Sequence, residues 1–196
     1  DILRGILQKL LPGKQCPFGT FPYHPNVHPV FFIHDVDGLS QGLYCLVRDL
    51  RHLNELKASF SKDFIWDPPF QNLPFYLLQN GNFRETAEKI SCNQSIAGNS
   101  SFSLGMLGKF KDKVSDKPWM YKRLFWEAGI LGQVLYLEAE ASCYRGTGIG
   151  CFFDDDMHEL LGLEDNTWQD LYHFTVGRHK EDARLLSLPP YDHLIK

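Results

Sequence analysis

The sequence predicts an α+β domain, and three observations carry that expectation. Segments with helical spacing outnumber the short strand-like runs. Those runs lie far apart in the chain instead of alternating regularly with helices, which argues against a doubly wound parallel sheet. A long apolar stretch, Leu124 to Ala141, carries Glu127, Gln133, Glu138 and Glu140, so it suits a buried central helix better than a membrane span. With 196 residues, 43% hydrophobic and 22% charged, the chain reads as one domain over 1–196. A chain of this length buries roughly 70% of its unfolded surface, enough for a true core.

The elements follow in order. Ile2 to Leu11 has helical spacing and stops at the breaker Leu11-Pro12-Gly13. Asp1 opens almost directly into this helix, as expected of a domain truncated at its N-terminus. Cys16 to Pro29 is rich in Pro, Gly and His and reads as loop. Val30 to His34 and Gly42 to Arg48 are strand-like, with Asp37-Gly38 favouring a turn between them. Asn54 to Phe60 reads as a short helix and Asp67-Pro68-Pro69 as loop. Asn82 to Ser95 and Ser101 to Phe110 read as helices on either side of a Ser- and Gly-rich segment. Lys117-Pro118 opens the central helix, which runs to about Ser142. Its apolar residues occupy nearly every face, so burial on most sides is expected. Three glycines in Gly146 to Gly150 break it. Asp154 to Leu161 is a short helix with an acidic first turn, closed by Gly162. Leu171 to Val176 alternates like a strand, and Gly177 leads into a charged tail.

Composition removes several function classes. A net charge of -4 with scattered Lys and Arg argues against a nucleic-acid face and a polybasic membrane anchor. The five cysteines, Cys16, Cys45, Cys92, Cys143 and Cys151, form no CxxC pair and no zinc spacing. They read as reduced thiols of a cytoplasmic protein. The sequons at Asn93 and Asn99 matter only in a secreted protein, where a binding domain is the alternative. Among the histidines, His24, His28 and His34 lack Cys or carboxylate partners at ligand spacing, so no metal site is expected. No GxSxG, P-loop or HExxH motif is present.

Local features then nominate a site. Gly148, Ile149 and Gly150 could bring backbone N–H groups close to a flat ligand, although taken alone the glycines favour a helix cap with a tight turn. The tail from Gly177 through Arg178, His179 and Lys180 to Arg184 could hold a phosphate, arginine's planar fork suiting that task. Tyr121, Lys122 and Arg123 are candidate substrate-facing groups, with tyrosine and lysine able to move protons in a perturbing pocket.

Taken together, the segments resemble a known family. Leu124 to Asp155 (LFWEAGILGQVLYLEAEASCYRGTGIGCFFDD) resembles the C-terminal core of the nitroreductase superfamily, in particular its SagB-type, azoline-dehydrogenase-like branch. His28 to Asp49, Ser91 to Leu107 and WQDLYHFTVG followed by Arg184 resemble that branch's strands, middle helix pair and closing strand, in the same order. The resemblance implies a nitroreductase-like α/β sandwich that binds FMN and exchanges hydride at flavin N5 with a small-molecule or peptide substrate. It implies cofactor contacts from Gly148, Ile149 and Gly150 to the ring and from Arg184 to the phosphate, with Tyr121 at the catalytic position. It also implies a homodimer or a pairing with a sister domain, since family flavin sites lie between two halves. Two departures stand out. The family's N-terminal Arg-Arg-Ser motif has no counterpart, only Arg4 lying near. Its Lys-Tyr pair is Met120-Tyr121 here. A catalytically silent partner half is therefore the competing expectation.

Overall fold

The computed structural model describes residues 2–14, 16–186 and 188–194. Thirteen elements organise them: α1 (Ile2–Leu10), β1 (Val27–Ile33), β2 (Gly42–Leu46), α2 (Leu53–Ser59), β3 (Phe75–Asn80), α3 (Arg84–Ile90), α4 (Ser95–Gly98), β4 (Phe102–Lys109), α5 (Lys111–Asp116), α6 (Met120–Ala141), β5 (Arg145–Ile149), α7 (Asp154–Leu161) and β6 (Trp168–Gly177). The strands form one six-stranded sheet in the order β3-β2-β1-β4-β6-β5, with every pairing antiparallel.

Side chains alternate across this sheet and feed two cores. On one face Phe31, Ile33, Tyr44, Phe75, Leu104 and Phe174 pack against Leu3, Leu7 and Leu10 of α1 and Leu124, Leu131 and Leu135 of α6. On the other, Val30, Phe32, Leu43, Leu107 and Trp168 meet Leu56 of α2, Ile90 of α3 and Met157 and Leu161 of α7. The α+β sandwich expected from the sequence is thus present, with helices on both faces.

Four local expectations need correction. Ser101 to Phe110 is not helical but contains β4, a central strand whose first seven residues are all buried. Covered on both faces, such a strand loses the alternation that marks a half-exposed one. Gly146 to Gly150 is not a turn; Arg145–Ile149 is the edge strand β5, paired with β6 from Arg145↔Gly177 to Ile149↔His173. The central helix is buried on one face only: Leu124, Glu127, Ala128, Leu131, Leu135 and Ala139 are covered, whereas Tyr121, Phe125, Trp126, Tyr136 and Leu137 are exposed. Finally, Cys92 and Cys151 are bonded, their Cα atoms 5.8 Å apart across 59 residues of sequence. The thiols are therefore not all reduced, and Cys16, Cys45 and Cys143 alone are free among the described residues. This bond removes the thiol argument for a cytoplasmic location. Among the described residues, no helix is long and apolar enough to cross a membrane.

A buried clamp ties α6 to the rest of the fold. Glu127 pairs with Arg48 and accepts the backbone N–H groups of Asn26, at 3.0 Å, and Val27, at 3.3 Å. Arg48 in turn donates to the carbonyls of Leu10 at 2.7 Å and Val27 at 3.0 Å. Phe18 covers its guanidinium. Burial pulls the Arg48 pKa below its usual value, with the Glu127 carboxylate acting in the opposite sense.

Candidate functional site

β5, the edge strand, is flanked by two cavities. The first, of about 780 Å³, is lined by Phe110, Tyr121 and Phe125 on one side and by Gly150, Cys151 and Phe152 on the other, with Asp170 and Tyr172 of β6 also reaching it. Tyr121 and Gly150 thus share one cavity although 29 positions separate them. The first turns of α6 present Tyr121, whose ring packs on Phe125 and Phe110 with centroids 5.0 and 6.1 Å away. It is half exposed.

The glycines of β5 do different things. An added Cβ at Gly148 would come within 1.8 Å of the Tyr172 hydroxyl, and one at Gly146 within 2.8 Å of the Phe174 ring. Both glycines therefore let aromatic rings of β6 lie on β5. Gly148 also donates its N–H to the Tyr136 hydroxyl at 2.8 Å. Ile149 is buried and points into the α7-side core. Gly150 stands apart, with nothing within 4 Å of an added Cβ. It is the open position of the three and the one that lines the cavity.

Behind this cavity lies a buried polar chain that sequence reasoning missed. His173 Nε2 lies 2.6 Å from Asp170 Oδ2, and its Nδ1 lies 3.3 Å from Ser91 Oγ. Phe152 stacks flat on the His173 ring with centroids 4.6 Å apart. Asp170 Oδ1 is buried without a partner. The Cys92–Cys151 bond holds the neighbours of Ser91 and Phe152 together. This cluster fixes the floor of the Gly150–Phe152 segment. The i, i+3 spacing of Asp170 and His173 was its one visible signal, and a bulge in the β4–β6 register between Gly105 and Leu107 turns both to one side.

The second cavity, of about 520 Å³, is strongly basic. Arg145 of β5 faces Arg178, His179 and Lys180 just after β6, and Ser95, Ser100, Thr147 and Thr175 add hydroxyls. The register pair Arg145↔Gly177 brings the two basic segments together. Arg145 also touches Glu140 at 2.9 Å. Cations beside several hydroxyls form a donor set suited to a phosphate. The tail predicted to hold a phosphate supplies three of these residues. Arg184 does not line the cavity; its guanidinium is engaged by Asp182 at 2.6 and 2.8 Å, exposed on the surface. Among the described residues no cluster of His, Cys, Asp and Glu could hold a metal ion.

Several solved structures share this fold. A crystallised nitroreductase candidate from Anabaena variabilis superposes with a TM-score of 0.65 at 21% identity, over 92% of this chain and 34% of that one. One from Ralstonia eutropha gives 0.60 at 13% identity, covering 92% and 73%. The fold is that of the nitroreductases. The microcin synthetase McbBCD complex of E. coli, solved with truncated pro-MccB17 bound, also superposes, with a TM-score of 0.59 at 13% identity over 91% of this chain and 64% of that one. This chain spans only about a third of the Anabaena protein's length. No family model matches the sequence, and no curated protein does either.

Proposed function

We propose that this chain is the flavin-binding part of an FMN-dependent oxidoreductase, of the SagB-type branch that its motifs resemble. The shared cavity of Tyr121 and Gly150, beside an edge strand whose opposite end carries a basic pocket, is the observation that carries this reading. An FMN molecule needs a flat, partly apolar slot at one end and cations at the other, and β5 sets Arg145 roughly 16 Å from Gly150 at about 3.3 Å per residue. Bound FMN supplies hydride exchange at its N5.

The chain's own groups have separate tasks. Gly150 gives the ring backbone access, while Gly148 and Ile149 hold β5 in the position that makes this access possible. Tyr121 lines the substrate side and can donate a proton from its hydroxyl, and Phe110 and Phe125 exclude water from the same wall. Arg178, Lys180 and Arg145 hold the phosphate, and Arg184 joins them by exchanging its Asp182 partner. The substrate is a small molecule or a peptide; the bound pro-MccB17 of the E. coli complex supports the peptide class.

A partner completes the site. The open α6 face, with Phe125, Trp126, Tyr136 and Leu137, borders the Tyr121 cavity, and an exposed apolar face of this kind marks an interaction site. A homodimer or a sister nitroreductase-like domain covering it buries roughly 2,000 Å² or more in total. Purification should give a yellow protein with a flavin spectrum and a dimeric or heteromeric mass by light scattering. A colourless protein that takes up no added FMN overturns the catalytic reading. That result supports a second one, a silent structural half, which the engagement of the Gly148 N–H by Tyr136 favours.

A further inference from the structure

A third cavity, of about 620 Å³, opens away from β5, at the N-terminal end of α6. Its walls come from the loop before β1 (Tyr23, His24), the turn after β2 (Arg51, His52), α5 (Lys113) and the start of α6 (Trp119, Arg123). Its volume falls in the range of small-molecule sites.

Arg123 is the unusual member. Its guanidinium lies between two rings, 4.4 Å from the Trp119 centroid and 4.8 Å from that of Tyr23. Among the described residues it has no carboxylate partner. Glu127, one turn further along α6, is committed to Arg48 and to the Asn26 and Val27 N–H groups. The stacked fork is thus held flat by apolar faces while its donors stay free.

The surrounding charge is positive on balance. Lys113, Lys117, Arg51 and Arg123 line the cavity with Asp112 and Asp116. Arg51 is held by Asp49, and the two lining aspartates offset two of the remaining three cations. One full positive charge is left, and the positive end of the 22-residue α6 adds to it. His52, pushed below its usual pKa chiefly by burial and bonded to His28 at 3.0 Å, offers a polar wall instead of another charge. Trp119 is 52% exposed at the mouth, an indole face available for stacking.

We infer that this cavity binds a nucleotide-class ligand, an anion carrying a planar ring: Arg123 and the lysines take the phosphate, and Trp119 stacks on the ring. The site is independent of the proposed flavin groove, because it shares no lining residue with either cavity beside β5.

Calorimetric titration of the 196-residue chain with AMP, adenosine and inorganic phosphate tests this. AMP should bind at submillimolar concentration, and adenosine and phosphate each at least tenfold more weakly. Arg123→Ala should weaken AMP at least tenfold while leaving phosphate uptake by the β5–β6 pocket intact. Trp119→Ala, at an exposed position, should weaken AMP without altering the melting curve, which keeps the test valid if Arg123→Ala folds poorly. FMN and AMP should bind additively. Failure of AMP to bind at millimolar concentration overturns the inference. So does AMP binding that survives both substitutions, or that is lost instead in Arg178→Ala. Because AMP is read without FMN, failure of the flavin reading leaves a separate signature.

Discussion

Arg48 and Arg184 each lay a guanidinium on a carboxylate, and their surroundings are opposites. The side chains of Arg48 and Glu127 are 1% and 5% exposed, and the partners are 79 positions apart. Those of Arg184 and Asp182 are 88% and 33% exposed, two positions apart. The buried pair joins the end of α1, the start of β1 and the middle of α6, with Nε and Nη1 of the arginine and both carboxylate oxygens also bonded to backbone. The exposed pair costs little to open, since water replaces either partner, so its arginine is free to serve a ligand. The same chemistry is architecture in one place and a reserve of charge in the other.

The strongest way to break this contrast is Arg48→Ala. It leaves the Glu127 carboxylate buried and unpaired, which costs about 3–5 kcal/mol, measurable by urea unfolding. Replacing both partners with apolar residues, Arg48→Met with Glu127→Leu, should recover only part of that loss: no stranded charge remains, but the Asn26 and Val27 N–H groups and the Leu10 and Val27 carbonyls lose their partners. A single variant as stable as the parent would mean that the clamp is not what secures α6.

Acid offers the next test. Burial lowers the His34 pKa from 6.5 to about 4, and burial shifts His28 and His52 the same way. The folded pKa lies below the unfolded one, so the unfolded chain takes up protons first. Stability is therefore complete above about pH 6.5 and declines as pH falls toward 4. His34 alone accounts for about 3 kcal/mol over that window, at 1.36 kcal/mol per unit. His34→Gln should flatten the slope; an unchanged slope removes His34 as its cause.

Much of this was legible in the sequence where periodicity and punctuation agree. Leu11-Pro12-Gly13 ended α1 as expected, and Gly162 closes α7 in the left-handed region at φ 71°. The strands β1, β2 and β6 also fell near their predicted positions. What escaped were properties created by pairing. β3 had no recognised signal, and β4 is buried too evenly to alternate. The Arg145 contribution to the basic pocket exists only because β5 and β6 are in one register. Charge in the tail was visible, but which of its residues faces inward was not, and Arg178 to Lys180 line the pocket instead of Arg184.

Two glycines sharpen the site half of the comparison. Gly148→Ala forces a methyl against the Tyr172 hydroxyl and should destabilise by about 1–3 kcal/mol, as overpacking does. Gly150→Ala meets open space, so its melting temperature should match the parent's while FMN affinity falls. Equal melting temperatures for the two variants would show that β5 can move off β6.

The smallest effect on stability belongs to Arg184→Ala, and it decides whether the exposed arginine is a reserve at all. The pair with Asp182 is open to solvent, so thermal unfolding should not change. FMN affinity should nonetheless fall by about tenfold, the loss expected for one charge-assisted hydrogen bond to a phosphate. Arg178→Ala, which removes a cation lining the basic pocket, should weaken FMN at least as much. If both variants lose affinity, Arg184 leaves Asp182 to reach the phosphate. If only Arg178→Ala does, the phosphate is held by the residues already facing inward, and Arg184 is a surface pair and nothing more. If neither does, the basic pocket is not the phosphate site, and the assignment of both ends of β5 to one flavin fails with it.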